Sequence, residues 1–596
     1  MGCRSPEAVK PRNVYDGFAR HADMDMSAHF AHPIFLLVLG YVLCSAAARA
    51  ETSAPAAHPV DRIKACHCDG RTYLVFKKHP AAETRYLVYR NTAPFDRIGP
   101  LQPVAIVPCD SFAHPDNGTP FVVPQGRLAA DDGLFVYAPK QAGQAWYAVL
   151  PEGATNAALV AGQNLTAEPV AETVPEHPGA IFQMSEITDK SKEEDGKDYA
   201  PGEWVTDHYA FWMDPEAWEQ AQGDALKPGE KAREYAGSFF SISYEKQRAG
   251  SGPLPAMVFL HSLGMGGNGA PHRRREEGFL TIFLIDHRRT WWEGRTEARI
   301  NAEVDFLLNC GKYPIDPERI YLGGQSMGGH GTIVNALRHP ERYAAAYARN
   351  PNIMSAMRAQ VQADVELPPI ITFFGFKDSK DFGPQGNAPF IQQMQASRQA
   401  IWSRWQDIGH SVPSAFDTPY TNALPGGLTR FKRHEAFPVF LNTTSDDNAG
   451  QRGTENVASN GTVNMRLDWA SALHPMGLKD EVQVDEEGKF AMTFRAETDC
   501  ATDLSFRRLQ RFKPDAGSRL NFANIEIETG RELQKGPTEV APDGRFIIPG
   551  VKMLKAGNRV TIVKSRKQQA DRCQTDPKPG AALQFGLKLN IPGQRE

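Results

Sequence analysis

Arg319-Ile320-Tyr321-Leu322-Gly323-Gly324-Gln325-Ser326-Met327-Gly328-Gly329-His330-Gly331 is the stretch on which the reading of this chain turns. The apolar run Ile320–Leu322 predicts a strand, and the segment from Met327 through Leu337 is compatible with a helix. Gly-x-Ser-x-Gly lies between them. A serine in that position occupies a cramped strand-to-helix turn. Gly324 and Gly328, two residues before and two after it, leave room where a β-carbon would collide. The following helix points its unpaired N–H groups and positive dipole end at the same place. Ser326 is therefore the candidate nucleophile.

Working outward, the flanking segments alternate strands and helices. Phe239–Tyr244 predicts a strand, and Ala256–Leu260 is wholly apolar, as suits a strand buried on both faces. It ends in the glycine-rich His261–Gly269, able to offer backbone N–H groups to an anion. No Gly-Lys-Ser/Thr closes that loop, which argues against a phosphate loop. Thr281–Asp286 predicts the next strand, and just beyond it stand Trp291 and Trp292, placed either to stack on a substrate or to pack. Arg295–Asn309 reads as an amphipathic helix. After the serine, Pro368–Gly375 predicts a buried strand, and Asp378 just past it suits an orienting carboxylate, with Asp381 as the rival. Pro389–Gln399 reads as a helix and Ile401–Trp405 as a final strand. His410, in the loop beyond it, is positioned to meet Ser326 with one ring nitrogen and Asp378 with the other. His434 is the second candidate base, but bulky and cationic neighbours disfavour a group that must accept a proton.

The chain has 596 residues, far more than one hydrophobic core supports, so several domains are expected. A net charge of −4 with mixed signs gives no electrostatic reason to expect nucleic acid. Pro33–Leu43 is an apolar run too short to span a bilayer comfortably, and Ala48-x-Ala50 follows it as a signal-cleavage pattern. Residues 1–50 therefore read as a signal peptide, with Met24 or Met26 as the expected true start. The expected location is secreted or periplasmic, with no membrane span in the mature chain; an uncleaved anchor is the rival reading. Six cysteines remain after the leader, an even number for an oxidising compartment, and their places in the sequence allow Cys500 to pair with Cys573 and Cys109 with Cys66 or Cys68 without fixing the connectivity.

The flanks are β-type. Between Asp61 and Ile181 short alternating runs such as Thr72–Phe76, Arg85–Arg90, Gly133–Tyr137 and Ala145–Val149 predict a sandwich. Tyr86–Asn91 and Trp146–Val149 resemble strands of a fibronectin type III domain. The aromatic-rich Trp204–Trp218 is expected to start a core. From Gly450 onward, Glu481–Asp485 and Phe490–Arg495 predict a hairpin within a second sandwich, and Arg507-Arg508 reads as part of a solvated basic face.

The run Asp316–Tyr321, Gly324–Gly329 and His339-Pro340-Glu341-Arg342-Tyr343 resembles the α/β-hydrolase superfamily, within it the esterase D and feruloyl or acetylxylan esterase group, and is also similar to prolyl-oligopeptidase-type catalytic domains. The resemblance covers roughly residues 240 to 415. It implies an α/β-hydrolase domain, placed at 182–449 and built as a mostly parallel sheet with helices on both faces; the flanking β-type segments, a sandwich at 61–181 and a β-rich domain at 450–596, make the chain multidomain and are left unexplained by the resemblance. It implies a Ser326–His410–Asp378 triad, with the N–H groups of Met327 and Leu263 as oxyanion donors; Trp291 and Trp292 stay candidates for substrate binding only from their place at the sheet edge. His261-Ser262-Leu263-Gly264 departs from the His-Gly usual at the oxyanion loop. The implied activity is hydrolysis of carboxylic esters, acyl groups on polysaccharide foremost, without metal or organic cofactor. A serine peptidase and a non-catalytic binding protein on the same scaffold are the alternatives.

Overall fold

The computed structural model describes most of residues 60–565. Residues 1–59, 79–83, 109–121, 130, 176–178, 190–202, 213–237, 247–251, 263–277, 285–290, 354–360, 362–364, 407, 411–426, 445–449, 453–456, 465 and 566–596 lie outside the described residues, the leader reading, Leu263, Trp218, Cys109 and Cys573 among them.

The centre is an eleven-stranded sheet. In chain order its strands are β1 (Ala180–Asp189), β2 (Glu203–Phe211), β3 (Ser238–Glu245), β4 (Leu254–Leu260), β5 (Leu280–Leu284), β6 (Ile315–Gln325), β7 (Ala345–Arg349), β8 (Ile370–Gly375), β9 (Ile401–Gln406), β10 (Gly450–Arg452) and β11 (Val457–Gly461). Their spatial order is β1-β2-β3-β5-β4-β6-β7-β8-β9-β11-β10. The six from β5 to β9 run parallel. The three before them and the two beyond them pair antiparallel. β4, β5, β7 and β8 are buried at every position, as parallel strands covered on both faces must be.

Three helices cover one face: α1 (Arg295–Asn309), α2 (Met327–Arg338) and α3 (Pro384–Ala396). Ile300, Val304 and Leu307 of α1 share a core with Val258, Leu260, Ile320 and Leu322, while Ile333 of α2 and Phe390 of α3 pack with Ala346, Ile370 and Ile401. α1 has the bounds its periodicity predicts. α3 begins five residues earlier than Pro389, because Pro384 takes the first helical turn, where a missing N–H is harmless.

The other face departs from expectation. Met257, Tyr321, Tyr347, Ile371 and Trp402, alternating with the helix-facing residues, share one core with Phe437, Trp469, Phe494, Phe506 and Phe546 of the C-terminal β-domain. Among the described residues, a sandwich therefore fills the place of the helices expected there. That domain holds a six-stranded and a three-stranded sheet, including the hairpin Gln483–Glu486 with Lys489–Ala496. Its docking is cemented by arginines. Arg508 is 5 % exposed, and its guanidinium donates to the carbonyls of Pro340, Tyr343, Ala344 and Lys432. Arg507 is fully buried and Arg545 donates to Ser397 and Val365. The solvated face expected of Arg507-Arg508 is thus an interface. Loop and helix-end carbonyls on the side of the central sheet supply acceptors that no secondary structure uses.

The two bodies are also interlaced in sequence. Phe437–Leu441, before the expected boundary at 449/450, pairs with Cys500–Arg507 in the C-terminal domain, whereas β10 and β11, after it, extend the central sheet. The boundary at 181/182 likewise falls inside β1. The N-terminal domain has a three-stranded sheet, Asp61–Cys68, Arg71–Lys77 and Asp132–Tyr137, and a four-stranded one, Ala105–Pro108, Arg85–Asn91, Gly143–Pro151 and Val170–Glu172. Leu74, Phe135, Tyr86 and Tyr147 from the two sheets share its core. Trp204, Tyr209 and Trp212 are buried, in keeping with the core role expected of that aromatic segment. Cys66, Cys68, Cys310 and Cys500 are free thiols among the described residues, and the pairings read from the sequence fall on Cys109 and Cys573, which lie outside them. Among the described residues no helix is long and apolar enough to cross a membrane.

Candidate active site

Parallel strands bring their C-terminal ends to one edge, and the loops leaving that edge assemble the site. β6 delivers Ser326 at φ 56, ψ −116, a left-handed conformation that disfavours any side chain bearing a β-carbon. The surroundings hold it there: its N–H donates to Arg349 O at 2.8 Å and its carbonyl accepts the N–H of His330 at 2.9 Å. Gly324 and Gly328 are dictated by contact. A β-carbon on Gly324 would lie 2.4 Å from the Gly328 carbonyl, and one on Gly328 would lie 1.9 Å from Leu260 O. Ser326 is 8 % exposed. Met327 opens α2, so its N–H is among those the helix leaves without an internal partner. β4 ends at Leu260, against Gly328, and the chain then runs through His261 and Ser262 to Leu263, which lies outside the described residues.

His410 Nε2 lies 2.8 Å from Ser326 Oγ, and its Nδ1 lies 2.9 Å from Asp378 Oδ2. The serine, histidine and carboxylate singled out in the sequence are therefore brought together in one hydrogen-bonded chain. The Asp378 side chain is 3 % exposed and His410 43 %. Burial pushes the Asp378 carboxyl up, but bonding and charge from His410, with Asn350 and the Ser379 N–H, outweigh it and hold it below the usual carboxylate value. The rival Asp381 is exposed and makes no side-chain bond in this network. His434 sits elsewhere: its Nδ1 lies 2.8 Å from Glu318 of β6, eight residues before Ser326, which puts the two roughly 25 Å apart along the strand.

Three contributors carried no sequence signal strong enough to single them out. Asn350, fully buried at the end of β7, donates from Nδ2 to Asp378 Oδ2 at 2.9 Å; only its position after a strand at this edge hinted at it. Gly375 lets the histidine loop close, since a β-carbon there would lie 2.3 Å from Ile408 O, and Lys377 N donates to that same oxygen at 3.0 Å. Phe382 sets its ring edge-on to His410, 4.6 Å between centroids.

The two tryptophans separate. Trp292 is fully buried, donates from Nε1 to His261 O at 3.1 Å, and presses its Cβ where a side chain on Gly331 would stand. A ring with no exposed surface cannot stack on a substrate, so Trp292 is a strut against His261 at the end of β4. Trp291 is half-buried, edge-on to His330. Both have left-handed φ, 60 and 62. The segment is clamped to α2 by His330, whose ring nitrogens lie 2.8 Å from Asn352 O and 2.8 Å from Glu293 Oε1, both acceptors. The His330 bond is also the main influence holding the Glu293 carboxyl below its usual value. Among the described residues no three His, Cys, Asp or Glu gather as metal ligands do.

Residues 281–415, which contain this constellation, match the family model described as "Putative esterase". The chain is 39 % identical over 57 residues to S-formylglutathione hydrolase of Rattus norvegicus and 34 % over 71 residues to that of Bos taurus, covering 10 % and 12 % of this chain. The matched stretches span a fifth to a quarter of those relatives' own length. Similar solved structures include an S-formylglutathione hydrolase of Agrobacterium tumefaciens (16 % identity, 36 % of this chain and 92 % of that one, TM-score 0.25). Another is described as a putative dienelactone hydrolase of Klebsiella pneumoniae (16 % identity, 29 % and 82 %, TM-score 0.23). Residues 281–415 of this chain are thus similar to esterases.

Proposed function

We propose that this protein is a serine hydrolase of carboxylic esters, and that its substrates are acyl groups carried on an exported or extracellular polysaccharide. The observation that carries the first part is the unbroken chain of bonds from Ser326 Oγ through His410 to Asp378 at a strained strand-to-helix turn. In this reading His410 takes the hydroxyl proton as Ser326 attacks the ester carbonyl, and Asp378 orients the ring and stabilises the imidazolium. The N–H groups of Met327 and Leu263 receive the tetrahedral oxyanion, each such donor being worth roughly 10²–10³ in turnover. Collapse expels the alcohol, which takes the proton back from His410, and water then hydrolyses the acyl-enzyme by the same route in reverse.

The polysaccharide part rests on the leader at 1–50 and on β-domains flanking the catalytic segment, which suit a polymeric substrate outside the cytoplasm. The three-stranded and four-stranded sheets of the N-terminal domain, which share one core, support its fibronectin type III-like reading as a spacer. The test is turnover across acetylated xylan, feruloyl, hydroxyalkanoate, S-formylglutathione and peptide substrates, with fluorophosphonate labelling and the Ser326→Ala variant alongside. Labelling of the parent, its loss in Ser326→Ala and preference for acylated glycans are expected. Undiminished hydrolysis of p-nitrophenyl acetate by Ser326→Ala removes the nucleophile assignment, and preference for a peptide or a glutathione thioester removes the substrate assignment.

A further inference from the structure

At the junction of the C-terminal domain with the central one lies a cleft of about 550 Å³, the size of ordinary small-ligand sites. Arg398, Arg519 and Arg545 line it, with Glu539 as the one carboxylate on its wall and Phe546, Ile547 and Pro549 among its apolar surfaces. Three guanidinium groups against one carboxylate is a local excess of positive charge in a chain whose net charge is −4. Arg398 and Arg519 are exposed, and neither side chain makes a hydrogen bond or ion pair among the described residues. Arg545 is anchored to the Ser397 and Val365 carbonyls. Behind them Arg507, fully buried, donates to the Arg398 carbonyl and leaves its Nε unpaired. Burial first, then the charge of Arg545, pushes the Arg507 guanidinium down to about 9.

The backbone adds a second observation. Arg398 follows the C-cap of α3 with φ 54, its N–H closing on Gln395 O. That is the left-handed position at which helices favour glycine. A branched cation held there at conformational cost is the kind of outlier from which a functional hypothesis starts. The cleft is distinct from the triad. Arg398 stands just before β9, at the N-terminal edge of the sheet, whereas Ser326 follows β6 at the C-terminal edge, a helix length of roughly 20 Å away.

We propose that this cleft binds the oxyanion of a sugar-sized ligand, a carboxylate or phosphate held by Arg398 and Arg519 with the ligand body against the apolar wall. Guanidinium forks suit both anions. The inference does not rest on the ester-hydrolase reading. Calorimetric titration of the full chain with digalacturonate, inorganic phosphate and neutral xylobiose, at low and at raised salt, tests it. Binding of either anion, weakening with salt, and none by xylobiose is expected; binding of digalacturonate alone assigns an acidic glycan and of phosphate alone a phosphorylated one. Arg398→Gly and Arg519→Gln should each weaken binding by about tenfold, one charge-assisted bond. Arg398→Gly should also melt no lower than the parent, since it relieves the left-handed φ, and leave p-nitrophenyl acetate turnover unchanged. Absence of binding by both anions at millimolar concentration, or equal affinity in parent and variants, overturns the proposal.

Discussion

Replacing Asp378 by asparagine changes one oxygen of a carboxylate that accepts three bonds. Oδ2 takes His410 Nδ1 and Asn350 Nδ2, both at 2.9 Å, and Oδ1 takes the Ser379 N–H at 2.8 Å. If the new NH₂ replaced Oδ2, two donors would face a donor. If it replaced Oδ1, only Ser379 would lose its partner, so the second orientation is favoured. His410 then keeps its tautomer, and what is lost is the anion beside the imidazolium formed during attack. A charge pair at about 4 Å in an effective dielectric of about 20 is worth about 4 kcal/mol, or three decades of rate. The 43 % exposure of His410 screens part of that. The expected fall in kcat is therefore about 10²–10³. Active-site titration with a fluorophosphonate and kcat on p-nitrophenyl acetate measure it, with thermal unfolding as the control for folding. Because the folded carboxyl lies below its usual value, its stabilising contribution is fully present above the ordinary aspartate pKa of about 3.9 and disappears as pH falls through the lower folded value. The deficit in Tm of Asp378→Asn should thus be steady near neutrality and close below about pH 4. A loss of less than threefold in kcat would refute the orienting role.

His434→Ala, remote from Ser326 and bonded to Glu318, should keep kcat within about twofold of the parent, while His410→Ala loses about 10³ or more in the same ester assay. Gly328→Ala places a β-carbon 1.9 Å from Leu260 O, so either the turn opens or the protein loses more than about 3 kcal/mol; normal activity with an unchanged melting curve would contradict the packing described. Arg508→Ala removes the donor to four carbonyls at the interface and should lower stability by about 3–5 kcal/mol in urea unfolding, whereas a change under about 0.5 kcal/mol would mean the carbonyls find other partners.

The features legible in the sequence were those with local causes. The order strand, Gly-x-Ser-x-Gly, helix locates Ser326 because the turn's sterics act over five residues. The bounds of α1 follow from its periodicity. Asp378 and His410 were reachable because each follows a strand at an edge the parallel topology makes common. What escaped depends on contacts far apart in sequence. The alternation of Tyr321, Tyr347 and Trp402 says that a second face is apolar, but not that Phe437 and Phe506 rather than helices lie against it. Arg508 reads as a surface cation until the carbonyls 164–168 residues upstream are placed around it. Trp292 and Trp291 are chemically identical neighbours, and only the close approach of Gly331 decides which one is buried.

The exchange of strands across the 437–461 region bears on how the chain is made. Phe437–Leu441 leaves the ribosome 59 positions ahead of Cys500, the first residue of the strand it pairs with. The outer edge of β9 likewise stays open until Val457–Gly461 has been synthesised. At about 5–20 residues per second these edges wait for several seconds with unpaired backbone groups. During that time the face bearing Tyr321, Tyr347 and Trp402 is also uncovered. A nascent or truncated chain ending near residue 449 is therefore a substrate for chaperones and a template for edge-to-edge aggregation. The catalytic segment becomes a finished body only when the sequence more than a hundred residues beyond His410 has arrived.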